Sequence, residues 1–269
     1  ETLHLDNMNP ITIVKWPEKS REGIRIIAEH NTPGDTAAFG LESADPAVMS
    51  DNNLNVTADQ CFEAVKIVNE VAGWRPGGAG DPRTDVEGSA PNFGEDAAPS
   101  LPKLLPGINL VHGLKGETAE TFEHNKRFLQ RVLDEGLLLR RVNIRQVMAF
   151  EGTDMADTGA EIARDHKQLF KQYKKEVREE IDNPMLQRVA PPGTVLPDVH
   201  LEYHQDGKTF GRQLGTYPLL VAIPGERELG QVLDVAVTDH GYRSVTGVPH
   251  PLDLNSASMD ELQDRKSVV

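Results

Sequence analysis

The sequence predicts an α/β protein: a parallel sheet, open or curled into a barrel, followed by a small all-β module. Three observations lead there. From residue 2 to about 150, short apolar runs alternate with amphipathic helical runs, the pattern of strand–helix–strand units. Pro191-Pro192-Gly193 then marks a boundary, since neither residue type continues a helix well. Beyond it, residues 194–248 hold short strand-like runs separated by Gly turns.

Taken in order, Leu3–Asp6 and Ile11–Val14 read as extended chain, and Pro17 sits at the first turn of a helix carrying Ile24, Ile26 and Ile27. Thr36–Ser43 (TAAFGLES) reads as a buried strand. Thr57 opens a helix with Gln60 three residues on, a capping box. Cys61, Phe62, Val65, Val68 and Val71 then share one face, and Gly73 is the stop. Residues 75–103 hold five Gly and five Pro without periodicity and read as a mobile surface insertion. Leu105–Leu114 is the next strand and Thr118–Glu135 the next helix, with Phe122, Leu129, Val132 and Leu133 inward and Gly136 as stop. Arg141–Phe150 closes the run as a strand. Residues 160–188 read as one long helix with Ile162, His166, Leu169, Phe170, Tyr173, Val177 and Ile181 on a stripe. Its basic residues share the helix with six acidic ones, which favours a solvated face over a nucleic-acid surface. Four strands follow, Val195–His204, Gly215–Ile223, Gln231–Thr238 and Tyr242–Val248, before a helix start at Asn255–Gln263. The domains expected are thus 1–158, a helical linker 159–193, a β-module 194–250 and a terminal piece 251–269.

Charge narrows the partners. With 28 basic against 42 acidic residues and a net charge of −14, the chain lacks the general basic footprint of a phosphate-backbone binder. Only 12 of the basic residues are lysine, a balance that suits a high-salt, halophilic cytoplasm. No apolar run approaches the ~20 residues that span a bilayer, so no membrane partner and a cytoplasmic location are expected. One cysteine, Cys61, excludes an internal disulfide framework and any metal cluster ligated by this chain's cysteines alone. It lies on an apolar helical stripe and reads as packing. His200 and His204 fall on a strand, where i and i+4 lie about 13 Å apart, too far to share a metal.

Several runs resemble a known family. FGLESADPAVM (39–49), the capped helix from Thr57, GINLVHGLKGET (107–118) and VNIRQVMAFEGTDM (142–155) look like the second half of a radical S-adenosylmethionine (SAM) enzyme barrel of methylthiotransferase type. FGRQLGTYPLLVAIPG with GQVLDVAVTDHGYRSVTGV resembles a TRAM domain, a small OB-like barrel. LNSASMDELQ looks like the opening of a helix-hairpin-helix. Together they resemble an uncharacterised archaeal group of radical SAM enzymes ending in such a hairpin. The resemblance implies a partial (β/α) radical SAM-type barrel, then a TRAM/OB-like barrel. It also implies a parent that uses SAM, a [4Fe–4S] cluster and an electron donor such as a ferredoxin or flavodoxin. The family's CxxxCxxC is absent and the chain opens on Glu1, so the resemblance implies an N-terminally truncated piece whose cluster ligands lie elsewhere.

The site candidates follow. Glu42 and Ser43 end a strand where parallel sheets meet ligands; the resemblance places SAM there, and a cap for the helix at Asp45-Pro46 is the other reading. Gly113, Gly116 and Glu117 form a strand-to-helix turn that related enzymes use beside the adenine, although Glu117 would suit a helix N-terminus anyway. Asn109 and Gln146 are polar residues in apolar strands and need partners, a ligand or a neighbouring backbone group. His112 flanks the turn and reads as structural by default. The rival class is a non-catalytic RNA-binding module using residues 194–250, where Lys208, Phe210, Arg212, Tyr217, Tyr242 and Arg243 stand against five acidic residues.

Overall fold

The computed structural model describes residues 3–78, 81, 99–148, 150–153, 155, 158–252, 255, 259 and 262. Most of the 75–103 insertion and of the terminal hairpin start lies outside the described residues. Two helices open the chain, α1 (Pro10–Lys15) and α2 (Pro17–His30). Ile11–Val14, expected as extended chain, is therefore helical. The Asn9 side chain accepts from the Thr12 N–H, and Pro10 occupies the first turn with its φ already set. Capping outweighs the strand preference of so short an apolar run.

Strand β1 (Asp35–Glu42) leads through α3 (Pro46–Asp51) and α4 (Ala58–Ala72) to β2 (Leu104–His112). Helix α5 (Ala119–Asp134) then connects to β3 (Arg141–Gln146). Both bonds of the Thr57–Gln60 capping box form, and the Gly73 N–H closes α4 onto the Asn69 carbonyl. The apolar stripe of α4, Cys61, Phe62, Val65 and Val68, is buried against Phe39 and Leu41 of β1 and Ile108 and Leu110 of β2 in one core. Near the insertion, the Lys103 N–H donates to the Trp74 carbonyl.

The partial radical SAM-type barrel is not what these elements form. β1, β2 and β3 pair in parallel, in that order, as an open three-stranded sheet. Neighbouring strands rotate by only about 20–25°, so three of them do not curl shut. Helices α4 and α5 cover one face. Parallel sheets are normally covered on both, yet Gly40, Asn109, Val111 and Asn143 on the second face are only half-buried and Arg145 is exposed. The outer edge of β1 pairs locally with the N-terminal segment: Ala38 N–H donates to the Asp6 carbonyl and Met8 N–H to the Ala38 carbonyl.

The expected long helix is broken into α6 (Thr158–Asp165), α7 (Lys167–Val177) and α8 (Asn183–Val189), with a π-helical turn at Arg178–Asp182. Pro184, which has no N–H to donate, sits just past that turn in the first turn of α8. A closed barrel forms in the C-terminal part, over the stretch expected as a small all-β module: β4 (Val195–Gln205), β5 (Lys208–Arg212), β6 (Leu220–Pro224), β7 (Val232–His240) and β8 (Ser244–Pro249), ordered β4-β5-β6-β8-β7. β5 was not among the expected strands, and residues 215–219 are not strand. The barrel is tied to the sheet through buried Asp35, whose carboxylate accepts from the Leu5 and Thr216 N–H groups, each at 3.2 Å.

Candidate functional site

The open face of the sheet carries the first group of polar residues. Side chains paired across strands share a face, so Gly40, Asn109 and Asn143 stand side by side. The Asn143 amide donates to the Asn109 carbonyl oxygen at 3.1 Å. Arg145 pairs with Val111 two residues further toward the carboxyl ends.

Glu42 completes this group through an unusual backbone. A bulge interrupts the β1–β2 register between Gly40 and Glu42, and Glu42 has φ of 62°. That left-handed conformation costs a non-glycine residue roughly 1–3 kcal/mol and clusters at functional positions. It folds the side chain back over the strand: a Cβ built on Gly40 would lie 2.7 Å from the Glu42 Oε1. Gly40 is thus the residue that leaves room for the carboxylate. Burial raises the Glu42 pKa, and the Arg145 guanidinium partly offsets this. A cleft of about 480 Å³ opens there, lined by Glu42, Gly40, Asn9, Asn53 and Asn55. Asn53 is also left-handed, φ 52°.

A second group lies on the helix side of the sheet. Glu117 Oε2 accepts from His112 Nδ1 and from the Gly113 N–H, both at 2.9 Å, while Oε1 accepts from His166 Nδ1 at 3.0 Å. Burial pushes its pKa up, but the bonds from His112, His166 and Gly113 outweigh this and hold it below the usual carboxylate range. His112 is fully buried, stacked on Phe122 at 4.3 Å with Phe170 and Tyr173 edge-on. Its Nε2 and the Tyr173 hydroxyl have no hydrogen-bond partner. The carboxylate ties the end of β2 to the starts of α5 and α7.

The structure separates the sequence candidates accordingly. Glu42 and Asn109 share the open face. Ser43 is consumed locally: its Oγ accepts from the Asp45 N–H at 3.1 Å, and Asp45 in turn caps α3 and accepts from the Thr121 hydroxyl. Gly113 has φ of 87° and packs against α6, where an added Cβ would sit 3.4 Å from Ala163. Gly116 faces Asp51, and the adjoining Lys115 exchanges hydrogen bonds with Asn52. Gln146 pairs with His112 and so faces the helices, away from Glu42 and Asn109. Asn143 and Arg145 went unremarked in the sequence; the signal that finds them is the alternation R-V-N-I-R, which puts three polar residues on one strand face.

Cys61 is 0% exposed, and burial pushes its thiol pKa far up. Among the described residues, no group of three or more His, Cys, Asp or Glu is arranged to hold a metal ion. His204 Nε2 donates instead to the Arg227 carbonyl at 2.7 Å. No helix is long and apolar enough to cross a membrane among the described residues.

No family model matches the chain. It is similar to an uncharacterised protein of Archaeoglobus fulgidus, 42% identical over 264 residues, which are 98% of this chain and 46% of that protein. An uncharacterised protein of Methanocaldococcus jannaschii is 45% identical over 249 residues, 92% of this chain and 42% of that protein. The chain spans less than half the length of either relative.

Proposed function

We propose that this chain is the SAM-binding portion of a longer radical SAM enzyme, with the ligand seated on the open polar face beside Glu42. The observation that carries the reading is the strained Glu42, folded over Gly40 within reach of the Arg145 charge. SAM bears an ammonium, a carboxylate, a sulfonium and a ribose diol. A half-buried carboxylate suits the ammonium, the Arg145 guanidinium suits the carboxylate, and the Asn109, Asn143, Asn53 and Asn55 amides suit hydroxyl and ring nitrogen atoms. When bound, SAM supplies the reactive adenosyl group; these residues bind and orient it. An iron–sulfur cluster does not fit this chain, whose sole cysteine is buried in the α4 core, so its ligands fall to the rest of the longer protein.

The test is an amide NMR titration of the 269-residue chain with SAM to millimolar concentration. Shifts should concentrate at Gly40, Glu42, Asn109, Asn143 and Arg145. Glu42→Gln removes one charge-assisted bond, about 1.5–3 kcal/mol, or roughly ten- to a hundredfold in affinity. Absent shifts, or the same shifts at the same affinity in Glu42→Gln, overturn the assignment.

A further inference from the structure

A second pocket, of about 330 Å³, lies between the start of β3 and the barrel, at the opposite end of the strand from Gln146. Four of the chain's 16 arginines line it: Arg140, Arg141, Arg212 and Arg243. In a protein of net charge −14, such a concentration of guanidinium groups needs a reason.

The pocket's acids do not neutralise it. Glu202 is committed to Arg212, and Asp35, which acts on Arg140, points its oxygens at the Leu5 and Thr216 N–H groups. Asp182 alone lines the pocket, shared among Arg243, Arg178 and Arg141 while also accepting from the Val142 N–H. Burial lowers the Arg140 and Arg141 pKa values, and neighbouring guanidinium groups lower them further, Arg141 and Arg243 acting on Arg140 and Arg243 on Arg141.

The donors are also incompletely used. Arg140 is anchored, giving its Nε to the Gly34 carbonyl at 2.9 Å. Arg141 stacks on the Tyr217 ring at 4.0 Å, yet its Nε is buried and has no partner. Arg243 reaches only the Val142 carbonyl, at 3.4 Å. A buried donor without an acceptor, as at Arg141 Nε, is costly, and an oxyanion held between it and the exposed Arg243 guanidinium would satisfy it. At the rim, Tyr242 is 55% exposed and presents an aromatic face.

We infer that this pocket binds a nucleotide, its phosphate between Arg141 and Arg243 and its base on Tyr242. The volume lies at the lower end of small-ligand sites and suits one nucleotide. Stacking on an exposed tyrosine tolerates any base. The nucleotide comes either free or as one unit of a single strand. This site is independent of the SAM reading: its residues lie at the other end of the sheet.

The experiment is calorimetry of the 269-residue chain with AMP, adenosine and inorganic phosphate. AMP should bind at least about tenfold more tightly than either half alone. Arg243→Gln should weaken AMP about tenfold and Tyr242→Ala severalfold, whereas Arg127→Gln, on the exposed face of α5, should leave it unchanged. Arg243 is exposed and weakly bonded, so its variant folds, which an unchanged thermal melt verifies. Tighter binding of 5′-phosphorylated r(A)6 than of AMP identifies a strand as the source; equal binding identifies the free nucleotide. AMP binding no tighter than adenosine, or Arg243→Gln binding as Arg127→Gln does, overturns the inference.

Discussion

Replacing Glu117 by glutamine tests the account of the β2–α5–α7 junction. The carboxylate accepts three hydrogen bonds, two on Oε2 and one on Oε1, and its side chain is 1% exposed, so solvent screening does not discount them. An amide keeps one acceptor and turns an N–H₂ toward a donor. At least one charge-assisted bond is lost and one buried donor is orphaned, about 2–4 kcal/mol together. At the usual unfolding entropy per residue, that lowers the melting temperature of a chain this size by about 4–8 °C. The sign with pH follows from the depressed carboxyl. Its contribution is complete above the unfolded value, about 4.5, and is lost as pH falls through the folded value. Wild type and Glu117→Gln should therefore differ most at pH 7 and converge in acid, read by calorimetric melts across that range. A gap of under 1 °C at pH 7, or one that persists unchanged at pH 3.5, would refute the reasoning.

Two further outcomes follow from buried groups. Cys61→Ser places a hydroxyl in the apolar face of α4 and should cost about 1–3 kcal/mol by denaturant titration, while the native thiol should react with a thiol reagent only on unfolding. Asp182 runs opposite to Glu117: burial lifts it from 3.8 to about 6, so its ionisation disfavours the fold. The wild type should therefore gain about 2–3 kcal/mol relative to Asp182→Asn as pH falls from 6 toward 4; equal pH dependence in both proteins would contradict it.

Local chemistry was readable from the residues themselves. The Thr57–Gln60 box and the Gly73 stop bound α4 as expected, since both depend on neighbours a few residues away. Ile11–Val14 misled because a four-residue run with three apolar residues carries no period long enough to separate helix from strand, and the Asn9 cap decided it. The barrel expectation failed on a global property, how many strands pair. Among the site candidates, Glu42 was legible as the carboxyl end of a strand and Asn109 as a polar residue in an apolar one, and the register brings both to the open face. Ser43, Gly113 and Glu117 looked equally conspicuous, but Ser43 accepts from Asp45, the Gly113 N–H donates to Glu117, and Glu117 accepts from two histidines, one 49 residues away. Which face Gln146 takes was not legible from residue type alone, because strand parity needs the register with His112. The arginine pocket was out of reach for the same reason: its walls come from residues 139 to 243.

The Asp35 carboxylate acts as a latch between events separated in time. One of its bonds spans 30 residues and the other 181. Closing a loop of the second size wins no reward until both the sheet and the barrel exist. A contact of such separation is expected to form late, so its loss should show in unfolding more than in refolding. Cutting it with Asp35→Ala accelerates unfolding, on the order of tenfold, while refolding keeps its pace. A side chain at the first residue of β1 thus helps set the lifetime of the joined sheet and barrel, alongside Arg141 on Tyr217 and Arg243 on the Val142 carbonyl.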